Sequence, residues 1–330
     1  MYEYVRKDIT TQLWPLGASA PAVTQPTDPY AGITTPVTPE LVLGTTGSEP
    51  GQYLSPRELA LAPDGSLYVA DSLNHRIQHI GSDGQILKVW GSFADISKGD
   101  APGGTFNEPW GVAVGPDGSV YVADTWNYRI QKFSPDGKFE KMWGTGPSDA
   151  PDGFYGPRGL AVDGSGRVFV ADTGNKRVVI YDGDGNYLGV FGSPGMDLGQ
   201  MDEPVALAIS ASGMVYVTDT WNQRVQVFSP DGSGLVYTAT AEWPVEGWYG
   251  NSLENKPFIT VDASGNVSVT DPELCRVITY SSTGQVVRVW DGCSAGGFAL
   301  PSGIVWDGAG GLWVSDARSG TLVHFKAEIP

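Results

Sequence analysis

Six times along this chain a short apolar stretch ends in an aspartate, in YVADSLNHR, YVADTWNYR, FVADTGNKR, YVTDTWNQR, SVTDPELCR and WVSDARSGT. The first five continue to an arginine at constant offset. The aspartates are Asp71, Asp124, Asp172, Asp219, Asp271 and Asp316, at intervals of roughly 53, 48, 47, 52 and 45 residues, the period of a four-stranded blade. Six units and no seventh predict an all-β, six-bladed propeller.

Each unit follows one template, clearest from Pro109: PWGVAV, a PDG turn, VYVADT, a TWNY turn, RIQKFS, a second PDG turn and KFEKMWG. The stretches are β-branched and apolar, as strands buried on both faces must be. The turns supply proline to preset φ and glycine for positive φ. The sixth unit ends at Pro330 after three strands, and LVLG at 41–44 resembles the strands that close other blades. The expected ring is therefore sealed by an amino-terminal strand completing the last blade, which removes free sheet edges. Residues 1–40 lack the repeat and are rich in Pro and Thr, which reads as an extended tether ahead of a propeller at 41–330.

The blade pattern P-x-G-V-A-V, D-G, V-Y-V-A-D-T-x-N-x-R-I-Q-x-F, D-G, W-G resembles the NHL repeat. The likeness is strong in units one to four. It weakens in unit five, where Leu274 takes the Asn place, and in unit six, where Ser319 and Thr321 replace Asn and Arg. Most members of that family are non-catalytic propellers that bind protein, RNA or carbohydrate, with peptide amidating lyases as an enzymatic branch. Bacterial members often lie outside the cell, some behind the membrane segments of glycosyltransferase-like proteins. The resemblance thus implies an extracellular, periplasmic or cell-surface location and agrees with a tether to a membrane protein.

A formal net charge of −17 disfavours nucleic acid, whose binding depends on neutralising phosphates with Lys and Arg. No apolar run is long enough to span a membrane as a helix, and the first residues lack a secretory signal's apolar core. Cys275 and Cys293 flank the last hairpin of unit five; they are either a disulfide or two free thiols.

The recurring Asp and Arg are read as framework. An aspartate at a strand end can accept N–H bonds from the following turn, and Arg76, Arg129, Arg177, Arg224 and Arg276 can pair with a carboxylate. A site normally breaks the symmetry of a ring, so function is sought where the units differ. The residue after each blade-opening proline varies: Arg57, Trp110, Arg158, Val205, Phe258 and Ser302. Arg57, Trp110 and Arg158 could grip a carboxylate or sugar at the channel mouth, or simply cap it. On the same face lie Trp126, Tyr128 and Trp221 from the turns, and Trp243, Trp248 and Tyr249 from a long loop. The loop aromatics form either a sugar platform or packing beneath their own loop.

Catalytic signatures are lacking. His75, His79 and His324 are the only histidines and do not sit on channel-lining strands, so no zinc site is expected. Calcium held by oxygens in the channel is the one cofactor left open. Glu58 and Glu203 are the only carboxylates that merit testing as acid or base. The expected function is a non-catalytic module presenting a rigid face to a protein or glycan. The alternatives are a metal-dependent lyase or lactonase, and a structural subunit of a cell-surface assembly.

Overall fold

A computed structural model describes residues 28–144, 146–245, 248, 256–293 and 296–326. Each sequence unit forms a four-stranded antiparallel blade. Blade one runs Pro56–Leu61, Leu67–Asp71, Arg76–Ile80 and Ile86–Trp90, and blade two repeats it over Pro109–Val114, Val120–Asp124, Arg129–Phe133 and Phe139–Trp143. Blades three and four open with Pro157–Val162 and Pro204–Ile209, blades five and six with Ile259–Val261 and Pro301–Trp306. The opening strands lie side by side around the channel, and the last returns to the first.

The ring closes as expected, because Leu41–Leu43 pairs antiparallel with Thr321–Lys326 and supplies blade six with its fourth strand. The tether reading of residues 1–40 needs correction in its second half. Thr34–Pro36 adds a parallel fifth strand to blade five, against Val286–Asp291. Tyr30 and Val37 are buried there, and Asp28 meets Arg276 at 2.9 Å. A parallel edge strand needs only main-chain groups and two anchoring side chains, which a Pro/Thr-rich stretch can provide. The residues before Asp28 lie outside the described ones.

Neighbouring blades are joined by one repeated aromatic contact. At five of the six junctions the closing-strand aromatic packs on the third-strand aromatic of the next blade: Trp90 on Phe133, Trp143 on Tyr181, Phe191 on Phe228, Trp243 on Tyr280 and Trp290 on Phe325, with centroids 4.8–5.8 Å apart; blade six closes with the aliphatic Leu41–Leu43. Each such ring buries a large apolar area, and the tilted or offset geometry adds about 0.5–1.5 kcal/mol. Glycine is required where opening strands approach most closely. A Cβ on Gly111 would strike the carbonyl oxygen of Arg158, and one on Gly303 that of Arg57.

The aspartates knit each blade to the loop that enters it. Asp124, fully buried, accepts the Asn107 N–H at 2.7 Å, Asn127 Nδ2 at 2.9 Å, Arg129 Nε at 2.8 Å and Gln131 Nε2 at 3.0 Å. Arg129 then donates to the carbonyls of Ala101, Pro102 and Thr105. Arg76 and Arg177 repeat this on residues 48–52 and 149–153, and Arg224 on Asp197 and Gln200. In blade five Arg276 keeps Asp271 at 2.7 Å and its Nη1 donates to Asp28 of the amino-terminal segment, the guanidinium lying 4.7 Å over the Tyr30 ring. Blade six lacks the arginine, and Asp316 accepts backbone N–H groups of Ala299, Arg318 and Ser319.

Cys275 and Cys293 are disulfide-bonded, with Cα atoms 5.5 Å apart and a sequence separation of 18. A loop of that size is worth about 3 kcal/mol. Cys293→Ala should lower the urea-derived stability by about that amount, and a reductant should lower the wild type to the same level while leaving the variant unmoved.

Burial, offset in part by Arg276, pushes the Asp271 carboxyl up from 3.8 to about 6. The native state therefore holds a proton that the unfolded chain has released, and this contribution is full below pH 3.8 and lost as pH rises through about 6. The stability difference between wild type and Asp271→Asn should shrink by about 2–3 kcal/mol across that window. A parallel pair of denaturation curves over the same pH range would refute it.

Candidate functional site

Positions that break the ring's symmetry gather at the end where the opening prolines and the strand-ending aspartates pair. At the channel mouth Trp110 lies between two guanidiniums, with Arg57 Cζ 4.2 Å and Arg158 Cζ 4.5 Å from its ring centroid. All three are buried, at 5%, 2% and 5% exposure for Arg57, Trp110 and Arg158. The open grip expected of this trio is instead a closed stack, because the indole is buried with both guanidiniums against its ring. Val205, Phe258 and Ser302 complete a buried rim.

Arg158 is anchored on its far side. Its Nη1 donates to Glu203 Oε1 at 2.7 Å, and Lys256 Nζ approaches Glu203 Oε2 at 2.7 Å. Burial lowers the pKa of both cations from their ordinary values, while Glu203 opposes the shift. Beneath the stack, Glu58 occupies the place of Gly111, Gly159 and Gly303 in other blades. Its Oε2 accepts the Val112 and Leu160 N–H groups at 3.0 and 3.3 Å, so it braces blades one, two and three. Burial pushes its carboxyl well above the usual range, against those two hydrogen bonds. It faces a narrow channel of about 200 Å³ lined by apolar residues such as Leu207 and Val305.

Beside the stack opens a pocket of about 160 Å³, shared by blades two, three and four. Trp126 and Trp221 line it from their turns, Tyr155 from the loop entering blade three, and Arg158 from its inner side. Trp126 Nε1 donates to Glu108 Oε2 at 3.1 Å, and Tyr128 stacks on Tyr155 with centroids 6.1 Å apart. Trp221 is 46% and Tyr155 54% exposed. Lys176 and Asp202, which pair at 2.7 Å, complete the lining together with Glu203.

One missing side chain creates this space. The turns of blades two and four read TWNY and TWNQ, whereas that of blade three reads TGNK, leaving Gly174 where its neighbours carry tryptophan. Tyr155 fills part of the slot, and a Cβ on Gly174 would come within 2.5 Å of the Tyr155 carbonyl oxygen. Sequence reasoning selected Trp126, Tyr128, Trp221 and Arg158 but not Tyr155, Gly174, Lys176 or Asp202. The interruption of TWN by TGN was the available signal.

Trp243 and Trp248 do not belong to the site. They are 6% and 2% exposed, and Trp243 is the closing-strand aromatic of blade four, paired with Val225 as Trp143 is with Ile130. Their reading as a sugar platform is therefore withdrawn, and Tyr249 lies outside the described residues. His79 contacts Ser66 and stacks on Tyr68, while His324 meets Asp307 and Glu40. Among the described residues no three His, Cys, Asp or Glu side chains are grouped to hold a metal ion. A wider groove of about 810 Å³ opens at the opposite end, between blades five and six, lined largely by small turn residues such as Ala263, Ser264 and Gly308.

The NHL repeat model matches residues 54–80, 106–133, 154–181 and 201–228, which are blades one to four without their closing strands. Human NHL repeat-containing protein 3 is 35% identical over 131 residues, 34% of this chain and 36% of that protein. Peptidyl-glycine alpha-amidating monooxygenase A of Xenopus laevis is 35% identical over 112 residues, 32% of this chain and 12% of that protein. The matches thus span little more than a third of the first relative and about an eighth of the second. Among solved structures, a gluconolactonase of Xanthomonas campestris aligns with TM-score 0.62 and 15% identity over 88% of this chain and 97% of its own, a likeness of fold alone. The chain is a six-bladed β-propeller whose blades one to four carry NHL repeats.

Proposed function

We propose that this propeller is a non-catalytic binding module that receives a protein or glycan ligand in the pocket between blades two and four. The observation that carries this reading is the convergence of Trp126, Tyr155 and Trp221 on one recess floored by paired charges. Trp221 and Tyr155 keep large apolar surface in water, which folding does not require and which aromatic anchors of binding sites typically offer. The charged groups are held by Glu203 and Asp202, so recognition would proceed on a preorganised surface with little ordering cost.

A setting outside the cytoplasm accords with the Cys275–Cys293 bond, since disulfides persist in oxidising compartments. The segment running out from blade five at Asp28 gives the module an attachment point on a larger cell-surface protein. No cofactor is required for such a role. A lyase or lactonase activity would instead call for a metal in the channel, and elemental analysis of the purified protein for calcium and zinc separates the two readings.

Screening glycan and peptide arrays should identify a ligand whose affinity falls at least about tenfold, one anchor's worth, in Trp126→Ala and in Trp221→Ala. Binding that both variants leave unchanged would move the site away from this pocket.

A further inference from the structure

We infer that the pocket takes a single neutral pyranose ring, the terminal or exposed sugar of a glycan. The inference rests on the binding role just proposed and narrows it to one ligand class.

Three features lead there. The first is charge. Arg158 and Lys176 each meet a carboxylate at 2.7 Å, Glu203 and Asp202, and Glu203 also holds Lys256, so the charged groups of the lining are already partnered. An anion would have to draw Lys176 from Asp202, leaving a partly buried carboxylate without its cation, which is costly. A cation would find aromatic faces, but Lys256 Nζ already lies 5.8 Å from the Trp221 ring centroid, and like charges repel. A neutral ligand disturbs neither arrangement.

The second is chemical matching. Ammonium and guanidinium groups are pure donors and carboxylates pure acceptors, and here both kinds line one recess. Sugar hydroxyls both donate and accept, so a ring bearing several of them can meet both kinds of group without breaking the pairs. Its C–H faces offer the apolar surface that Trp126, Trp221 and Tyr155 leave to be covered.

The third is size. A recess of about 160 Å³ is on the scale of one six-membered ring, with further units of a glycan left to extend beyond its mouth. Gly174 sets that size, and it makes the pocket specific to blade three.

The test uses the whole chain and follows tryptophan emission during titration with methyl glucoside, galactoside and mannoside, beside glucuronate, choline and short aromatic peptides. The expected result is saturable binding of at least one neutral glycoside, with glucuronate no tighter than its neutral counterpart. Affinity should fall at least about tenfold in Trp126→Ala and in Trp221→Ala. Gly174→Trp, which restores the residue of the neighbouring turns, should abolish binding. Should that variant fold poorly, the Trp126 and Trp221 variants still decide the matter. Binding only of glucuronate, choline or peptide, lost with the same tryptophans, would overturn the sugar assignment and leave the pocket as a binding site. No titrant whose signal depends on Trp126 or Trp221 would overturn both.

Discussion

The buried aspartate at the end of each second strand is the constraint on which the rest of this propeller depends. A blade by itself is a twisted sheet with four strands and no reason to stop beside a particular neighbour. The carboxylates of Asp71, Asp124, Asp172 and Asp219 accept the entering loop's N–H, and the arginines they orient capture that loop's carbonyls. Each cluster thus satisfies main-chain groups of an otherwise irregular segment, and fixes where one blade hands over to the next. Removing one partner of such a buried pair typically costs about 3–5 kcal/mol, although replacing the whole pair with apolar groups need not. The clusters are best understood as devices of geometry, with the aromatic contacts between blades contributing the apolar burial.

The same clamp in blades one to four holds a common frame, in which small departures from the repeat have local effects. Glu58 in a glycine slot braces three blades. Gly174 in a tryptophan slot leaves a recess that neither neighbour could offer. Arg276 also engages the amino-terminal segment, pairing with Asp28 and lying over Tyr30. In each case one residue changes while the backbone frame stays the same.

The blade count and the seam at residues 41–44 were legible because a strict period and the LVLG motif carry them directly. The strand at Thr34–Pro36 was not, since three residues are too few to show alternation and a proline argues against a strand. Trp243 was ambiguous in sequence because it ends a strand and begins a long loop, and only its register beside Val225 makes it a closing-strand aromatic. Arg57, Trp110 and Arg158 were rightly placed together, but their mutual coverage depends on ring orientations that spacing does not encode. The pocket was half visible. Its tryptophans sit in recognisable turns, whereas Lys176 and Asp202 meet across two blades.

The seam has a consequence for how the chain reaches this state. Leu41–Leu43 has its partner at the far end of the chain, and Thr46 bonds to Ser319, 273 residues away. During synthesis the strand Leu41–Leu43 therefore waits, its edge unsatisfied, until blade six has emerged. Contacts of such long range form late and slowly, so sealing the ring should be the last step of folding. The open edges of blades one and six are the surfaces on which an incomplete chain would associate with others.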